Sequence, residues 1–141
     1  MLSGAFRTLN SSGQVTRSGY HFEMYLADAA GGVQGEEPTS PTSVHTTTSA
    51  VVADIAETTW ACYAWPANYS TSGTRTFFCN QTGDIVTKDD SDISGIGGMY
   101  GAGGGAAGDA FIGSGGNANS ITGTVAVGTV GRDGFTWKQV N

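Results

Sequence analysis

Cys62 and Cys79 are the two residues of this chain whose types and spacing could most directly do chemistry. They lie in strand-like segments on either side of a short loop, residues 67–74, and a symmetric loop would place Cys62 opposite Cys79. Directly opposed positions of an antiparallel pair bring Cβ atoms to about 4.5 to 5.5 Å, near disulfide range. The spacing therefore predicts a structural disulfide or two adjacent thiols, and two separately buried thiols are the alternative.

A catalytic cysteine is disfavoured by the positions of the histidines. A nucleophilic thiol needs a neighbouring base. His21 lies on a different hairpin, His45 lies in a loop, and no motif ties either one to a cysteine. The Gly-rich run also lacks the Lys-Ser/Thr pair of a phosphate-binding loop. We therefore predict no catalytic residue and no enzymatic activity.

The acidic stretch "DDSDISG" is the one candidate for a metal site. Its alternate oxygen side chains have the spacing of the first half of a calcium-binding loop. The acidic residue expected at the twelfth position is replaced by Gly101, which excludes an EF-hand. Calcium is the single cofactor that the sequence suggests, with a solvated acidic turn as the alternative. The ligands of a looser calcium site would be Asp89, Asp90, Asp92 and Ser94, with Asp84 or Asp109 as further candidates.

Aromatic residues crowd the segment that holds the cysteines. Strand alternation predicts that most of them pack in the core. The alternative is an exposed platform that grips a glycan or a peptide. The residues of such a binding surface would be Tyr63, Trp65 and Tyr69.

The composition of the chain indicates its domain count, its location and one class of partner that it does not bind. The chain has 141 residues, which fits a single domain over residues 1–141. Its net charge is −6 and its six basic residues are scattered, which argues against nucleic-acid binding. Charged residues make up 13%, against roughly a quarter in ordinary soluble domains. A surface of neutral polar residues favours a protein that works outside the cell.

The local patterns predict a mainly β fold with at most one short helix. Residues 3–28 indicate a hairpin around "NSSG", with Tyr20, Phe22, Met24 and Leu26 on the buried face. The segment "AVVADIAETT" predicts a short helix, with Val51, Val52 and Ile55 facing inward and Asp54 and Glu57 exposed. Three strands, "TWACYAW", "RTFFCN" and "IVTK", then form an antiparallel meander.

Two long loops are predicted between these elements. Residues 29–49 are rich in Pro and Thr and carry no core-forming periodicity. Residues 95–123 are rich in glycine, whose backbone entropy opposes regular helix or strand. This second segment is either a partner-binding segment or an ordered loop held in place by Met99, Tyr100, Phe111 and Ile112.

Several stretches resemble a known superfamily. The segments "GYHFEMYLADA", "AETTWACYAWPANYSTSGTRTFFCNQTGDIV" and "GRDGFTWKQVN" resemble the soluble head of bacterial prepilin-type proteins, the type IV pilins and pseudopilins. The block from "CYAWP" to "NQTGD" is also similar to a secreted bacterial domain of unknown function. Outside the two long loops, the similarity extends over most of the chain.

This resemblance implies an exported bacterial protein with a structural role. Pilin-like subunits self-associate into oligomers or filaments, and an N-terminal hydrophobic helix drives their assembly. No such helix precedes Met1, and the start of the chain is not typical of a signal peptide. We therefore expect a membrane link only through a helix that is not present here. We favour a Met1 that remains after removal of an export segment, and the alternative is a Met1 that begins a cytosolic protein. The resemblance implies an extracellular or cell-surface assembly subunit, with a secreted glycan- or peptide-binding module as the alternative.

Overall fold

The computed structural model describes residues 9–28, 33–35, 52–89, 100, 104–113 and 120–140. Within these ranges the protein is mainly β, as predicted, with a single helix of one turn. The elements, in chain order, are β1 (Val15–Arg17), β2 (Tyr20–Ala27), β3 (Val33–Gly35), α1 (Ala53–Ala56), β4 (Trp60–Pro66), β5 (Arg75–Asn80), β6 (Ile85–Asp89), β7 (Thr129–Val130) and β8 (Thr136–Gln139).

The strands form one antiparallel sheet in the order β1-β2-β4-β5-β6-β8-β7, and β3 pairs with β2 beside β1. Its centre, β4-β5-β6, is the predicted meander. In the β4–β5 hairpin Cys62 pairs with Cys79, and Tyr63 pairs with Phe78. The predicted register of this hairpin is therefore confirmed.

The first hairpin turns at a different place from the predicted one. β1 and β2 are joined by Ser18 and Gly19, which have φ of 51° and 79°. Two successive positive φ values match the right-handed twist of the flanking strands, which favours such tight turns. The predicted turn at "NSSG" also exists, where Asn10 accepts a backbone hydrogen bond from Gly13, but it precedes β1.

The buried face of β2 is the opposite of the predicted one. Glu23, Tyr25 and Ala27 are buried, whereas the apolar set that begins with Tyr20 and Phe22 is half-buried on the other face. The reason is hydrogen bonding: the Tyr25 hydroxyl donates to the Gly105 carbonyl at 3.1 Å on the buried side. The core side of the sheet therefore accepts polar side chains that find partners in the covering loops.

The Gly-rich segment covers this core face. The Tyr63 hydroxyl donates to the Ala107 carbonyl at 2.8 Å and accepts from the Ala110 N–H at 3.1 Å. Phe111 stacks edge-on against Phe78 at 5.3 Å between ring centroids. The described part of the Gly-rich segment thus packs as an ordered loop. Buried residues of the sheet and of the covering loops form the core: Tyr25, Ala27, Ala61, Tyr63, Trp65, Phe78, Val86, Tyr100, Ala107, Ala110, Phe111, Ile121, Ala126 and Trp137.

Three smaller predictions have mixed outcomes. Tyr100 and Phe111 hold the Gly-rich loop as predicted, but Ile112 is exposed, and Met99 lies outside the described residues. The helix forms at Ala53–Ala56, where Ile55 is exposed instead of buried. The predicted loop 29–49 contains the strand Val33–Gly35, because its backbone pairs with the end of β2.

Candidate functional site

The face of the sheet opposite the core carries an open apolar groove, which we call the outer groove. It has a volume of about 480 Å³ and runs across β2, β4 and β5. Strand alternation places side chains of this face between the core-facing ones. No element in the described ranges forms a layer over it. The side chains of this face that line the groove are Tyr20, Phe22, Cys62, Ala64, Phe77, Cys79 and Ile85, together with Val140.

Charges surround the outer groove but do not enter its lining. Arg17 pairs with Tyr20, Arg75 lies two residues before Phe77, and Lys138 pairs with Thr87. Directly opposed residues, and residues two apart in one strand, share a face. Two acidic residues belong to this face as well: the exposed Asp84 lies near Cys79, and Asp89 is the register partner of Arg75. Three of the six basic residues of an acidic chain are thus on the face of the groove.

Both cysteines lie in the outer groove as thiols, so the predicted disulfide is not present in the structure. The Cys62 thiol donates to the Tyr63 carbonyl at 3.9 Å, and the Cys79 thiol donates to the Asn80 carbonyl at 3.6 Å. Each sulfur is therefore oriented along its own strand, although the Cα register is the predicted one. Burial raises the pKa of the Cys79 thiol, which disfavours a reactive thiolate.

The predicted aromatic platform is wrong for two of its three residues. Tyr63 is 2% exposed and Trp65 is 1% exposed, so neither side chain can contact a glycan or a peptide at the surface. The reason is that both belong to the core-facing set of β4. Tyr69 is half-buried in the β4–β5 turn, apart from the other two.

The calcium prediction falls almost entirely outside the described residues. Asp90, Asp92 and Ser94 are not among them, and Asp89 is described only as the last residue of β6. In the described ranges no three His, Cys, Asp or Glu side chains come together in a way that could hold a metal ion.

A buried ion pair occupies the opposite, core side of the sheet. The Lys88 ammonium donates to the Asp133 carboxylate at 2.7 Å, and the two side chains are 1% and 7% exposed. Three rings surround the ammonium, with centroids 4.3 Å away at Tyr100, 4.7 Å at Phe135 and 5.3 Å at Trp137. The charge is therefore held almost without water, by one carboxylate and by cation–π contacts.

Asp109 is a further acidic group beside this pair. Burial raises its pKa and the charge of Asp133 raises it further, whereas the neighbouring Tyr100 hydroxyl and the charge of Lys88 lower it. The Asp109 carboxylate also accepts a hydrogen bond from the Ala106 N–H at 3.0 Å. Asp109, Asp133 and Lys88 thus form one electrostatically coupled cluster under the Gly-rich loop.

The sequence patterns did not identify either the outer groove or the buried ion pair. A signal for the groove exists in β4, where one alternating set is Ala61, Tyr63 and Trp65 and the other set is also apolar. Strands that are apolar on both faces are typical of a sheet covered on both sides. No comparable signal marks the pair, because Lys88 and Asp133 are 45 residues apart.

Comparison with known families finds one match. A family model described as "Protein of unknown function (DUF2950)" matches residues 7–94, more than half of the chain. The chain belongs to this family. The match covers the sheet from β1 to β6 and therefore most of the outer groove. No curated protein and no solved structure matches the chain.

The DUF2950 match ends before the Gly-rich loop and the C-terminal hairpin. Lys88 lies within the matched range, whereas Asp109 and Asp133 lie beyond it. The buried ion pair therefore joins the matched part of the sheet to the region that follows.

Among the described helices, none has the length and apolar character required to cross a membrane.

Removing one hydroxyl tests how firmly the Gly-rich loop is held on the sheet. We expect Tyr63→Phe to lower the free energy of unfolding by about 1 to 3 kcal/mol, because it leaves the buried Ala107 carbonyl and Ala110 N–H without their partner. Urea unfolding at neutral pH measures the difference. The control is Tyr69→Phe, which removes a hydroxyl from a half-buried tyrosine in a turn. Equal effects of the two substitutions would contradict this packing.

Proposed function

We propose that this DUF2950 protein is a non-enzymatic assembly subunit, similar to a pilin or pseudopilin head, that self-associates at the bacterial cell surface. The observation that carries the proposal is the outer groove. Monomeric proteins rarely leave a continuous apolar surface of this kind in water, and such surfaces mark interaction sites. The occupant that we propose for the groove is a second copy of the same chain.

Charge supports a second copy in a head-to-tail arrangement. The groove face carries three basic residues against two acidic ones, Asp84 and Asp89, so two identical faces would bring an excess of like charge together. A different, acidic surface of the next copy fits better, because the whole chain has a net charge of −6. Contacts between two different surfaces can continue from copy to copy, which produces rings or filaments.

The helix α1 offers a matching surface. Ile55 is 42% exposed, and its neighbours Asp54 and Glu57 are also exposed. An apolar side chain between two carboxylates is complementary to an apolar groove with basic residues around it. We therefore propose that α1 of one copy enters the outer groove of the next copy.

A matched pair of substitutions tests the groove. Ile85 is 48% exposed in the groove, and Ile112 is 45% exposed in the loop that covers the opposite face. We expect Ile85→Glu to weaken self-association at least tenfold, since it buries an unpaired carboxylate at the interface. Ile112→Glu should leave association unchanged. Sedimentation equilibrium over a wide range of protein concentration measures both.

Mixing two defective variants tests the head-to-tail arrangement. Ile55→Glu should prevent assembly through α1, and Ile85→Glu should prevent it through the groove. Each variant alone should be monomeric, whereas their mixture should form a dimer and nothing larger, because one good surface of each remains. A wild-type chain that stays monomeric at every concentration would refute the proposal, and so would equal association of the Ile85 and Ile112 variants.

A further inference from the structure

We propose that Lys88 and Asp133 form a covalent amide bond, an intramolecular isopeptide cross-link, after the chain has folded. The inference is independent of self-association through the outer groove. Three features of the core side of the sheet carry it: the contact between amine and carboxylate, the hydrogen bonds on the second carboxylate oxygen, and the acid beside the pair.

The first feature is the position of the amine. Lys88 Nζ lies 2.7 Å from Asp133 Oδ2, and both side chains are almost fully buried. In water an ammonium and a carboxylate stay ionised and do not react. Tyr100, Phe135 and Trp137 surround the amine and exclude water, so a proton that leaves Nζ has the Asp133 carboxylate as its nearest acceptor.

The second feature is the environment of the other carboxylate oxygen. Asp133 Oδ1 accepts hydrogen bonds from the Phe135 N–H at 3.0 Å and from the Trp137 Nε1–H at 3.3 Å. When an amine adds to the carboxyl carbon, negative charge develops on this oxygen. Two fixed N–H donors directed at such an oxygen are the arrangement that stabilises tetrahedral intermediates of acyl transfer. The fold thus holds Asp133 with one oxygen at the amine and the other at two donors.

The third feature is Asp109. Its backbone carbonyl accepts a hydrogen bond from the Asp133 N–H at 3.5 Å. Its carboxylate lies against Gly105 together with the Tyr100 ring, and the same ring contacts the Lys88 amine. Because burial raises the pKa of this carboxyl, it can hold a proton, donate it to a leaving oxygen and later accept one from nitrogen. We assign this proton transfer to Asp109.

The step balances without any co-reactant. Lys88 Nζ passes a proton to Asp133 Oδ2, and the neutral amine attacks Cγ to give a tetrahedral intermediate with its charge on Oδ1. Asp109 donates a proton to Oδ2, the Cγ–Oδ2 bond breaks, and water leaves. The Asp109 carboxylate then takes the surplus proton from nitrogen. One Nζ–Cγ bond is formed, one Cγ–Oδ2 bond is broken, and nothing is oxidised or reduced.

The position of the bond in the fold gives it a mechanical consequence. Lys88 lies in β6, and Asp133 lies in the turn between β7 and β8, 45 residues later. A covalent link there would tie the central meander to the C-terminal hairpin and close a loop that includes the Gly-rich segment. Such a link removes conformational freedom from the unfolded chain, as a disulfide of the same loop length does.

The decisive experiment is the mass of the intact, reduced and denatured chain. We expect the folded wild-type protein, after incubation at neutral pH, to weigh one water molecule less than its sequence requires. In a tryptic digest, the peptide of residues 133–138 should remain attached to the peptide that contains Lys88. A wild-type chain at the full sequence mass after prolonged incubation would overturn the proposal.

A competing dehydration must be separated from the cross-link. Asp133 precedes Gly134, and an Asp-Gly pair can close to a succinimide with the same loss of mass. Lys88→Arg distinguishes the two, because it keeps the positive charge but removes the amine nucleophile. We expect Lys88→Arg to have the full mass. A water loss that persists in Lys88→Arg, with no joined peptides in the wild type, would assign the loss to the succinimide and overturn the cross-link.

The role of Asp109 has its own test. We expect Asp109→Asn to fold, judged by the circular dichroism of its aromatic residues, and to form the bond about a hundredfold more slowly or not at all. Recovery of the rate in Asp109→Glu would support proton transfer. A folded Asp109→Asn chain that loses water at the wild-type rate would overturn this assignment.

Discussion

Gly131→Ala is expected to lower the free energy of unfolding by about 3 kcal/mol or more. A loss of this size is typical of an extra group forced into a rigid, well-packed core. Gly131 is buried where the Gly-rich loop meets the C-terminal hairpin. A Cβ atom there would overlap the Asp109 carbonyl and lie 2.8 Å from the Trp137 indole. Neither neighbour can move freely, because one is backbone and the other is a fully buried ring. Urea unfolding at fixed pH measures the loss.

Gly134→Ala is the matched control for this substitution. Gly134 lies in the same turn with φ of 82°, and nothing lies within 4 Å of its Cβ position. Alanine at position 134 should therefore cost only the conformational penalty of a left-handed residue, about 1 to 2 kcal/mol. If Gly131→Ala proved no more destabilising than Gly134→Ala, the close packing of loop against hairpin would be contradicted.

The central hairpin could be predicted from sequence because its information is local. Cys62 and Cys79 flank a short loop of turn-forming residues, so the register follows from counting outward from the centre. The chemistry of the two cysteines could not be predicted in the same way. Whether opposed thiols form a disulfide depends on side-chain rotamers, and here each sulfur is oriented toward a carbonyl of its own strand.

The buried face of β2 shows where the periodicity argument fails. Alternation identifies two sets of side chains correctly, but choosing the inward set assumes that polar groups avoid the core. Glu23 and Tyr25 face inward because the covering loop and Gln14 supply hydrogen-bond partners. The partner of Tyr25 lies 80 residues away in the sequence and the partner of Glu23 lies 9 residues away. A pattern read over a short stretch of sequence therefore cannot include both partners. The same inversion leaves the more apolar set of β2 on the face of the outer groove.

Glycine has two roles in the Gly-rich loop: it allows a left-handed backbone conformation, and it allows close approach to the sheet. The composition of the segment alone does not distinguish these roles. At Gly104 the φ is 76°, and an added Cβ would contact the Glu23 carboxylate. At Gly105 an added Cβ would instead lie 2.5 Å from the Tyr100 ring. The loop therefore needs glycine for close approach to the sheet as well as for its backbone conformation. The backbone entropy of glycine predicts an irregular structure for this segment. The described part of the loop is irregular, but it is well packed against the sheet.

Glu23→Gln is expected to make the protein more stable at pH 8 and to leave its stability nearly unchanged at pH 4. Glu23 is 2% exposed, and burial raises its pKa from 4.5 to about 7, although the neighbouring Tyr25 hydroxyl and Gln14 amide lower it. The folded state thus keeps this proton when the unfolded chain has released it. Stability contributed by the protonated Glu23 is complete below pH 4.5 and is lost as the pH rises to about 7.

The loss amounts to about 3 kcal/mol above pH 7, because each unit of pKa difference corresponds to about 1.4 kcal/mol. Glutamine keeps the shape and the hydrogen-bonding groups of the protonated acid but cannot ionise. The difference in unfolding free energy between Glu23→Gln and wild type should therefore grow from near zero at pH 4 to a plateau at pH 8. Urea titrations at intervals of pH measure it directly.

Glu57→Gln is the control for this pH dependence, since it removes the same charge from an exposed site. Its stability should follow that of the wild type at every pH. The buried Asp109, whose pKa burial also raises, contributes a slope of the same sign in all three proteins. Some loss of stability with rising pH should therefore remain in Glu23→Gln. A Glu23→Gln curve parallel to the wild-type curve from pH 4 to 8 would contradict the prediction, because it would show that Glu23 has the same pKa in the folded and the unfolded chain.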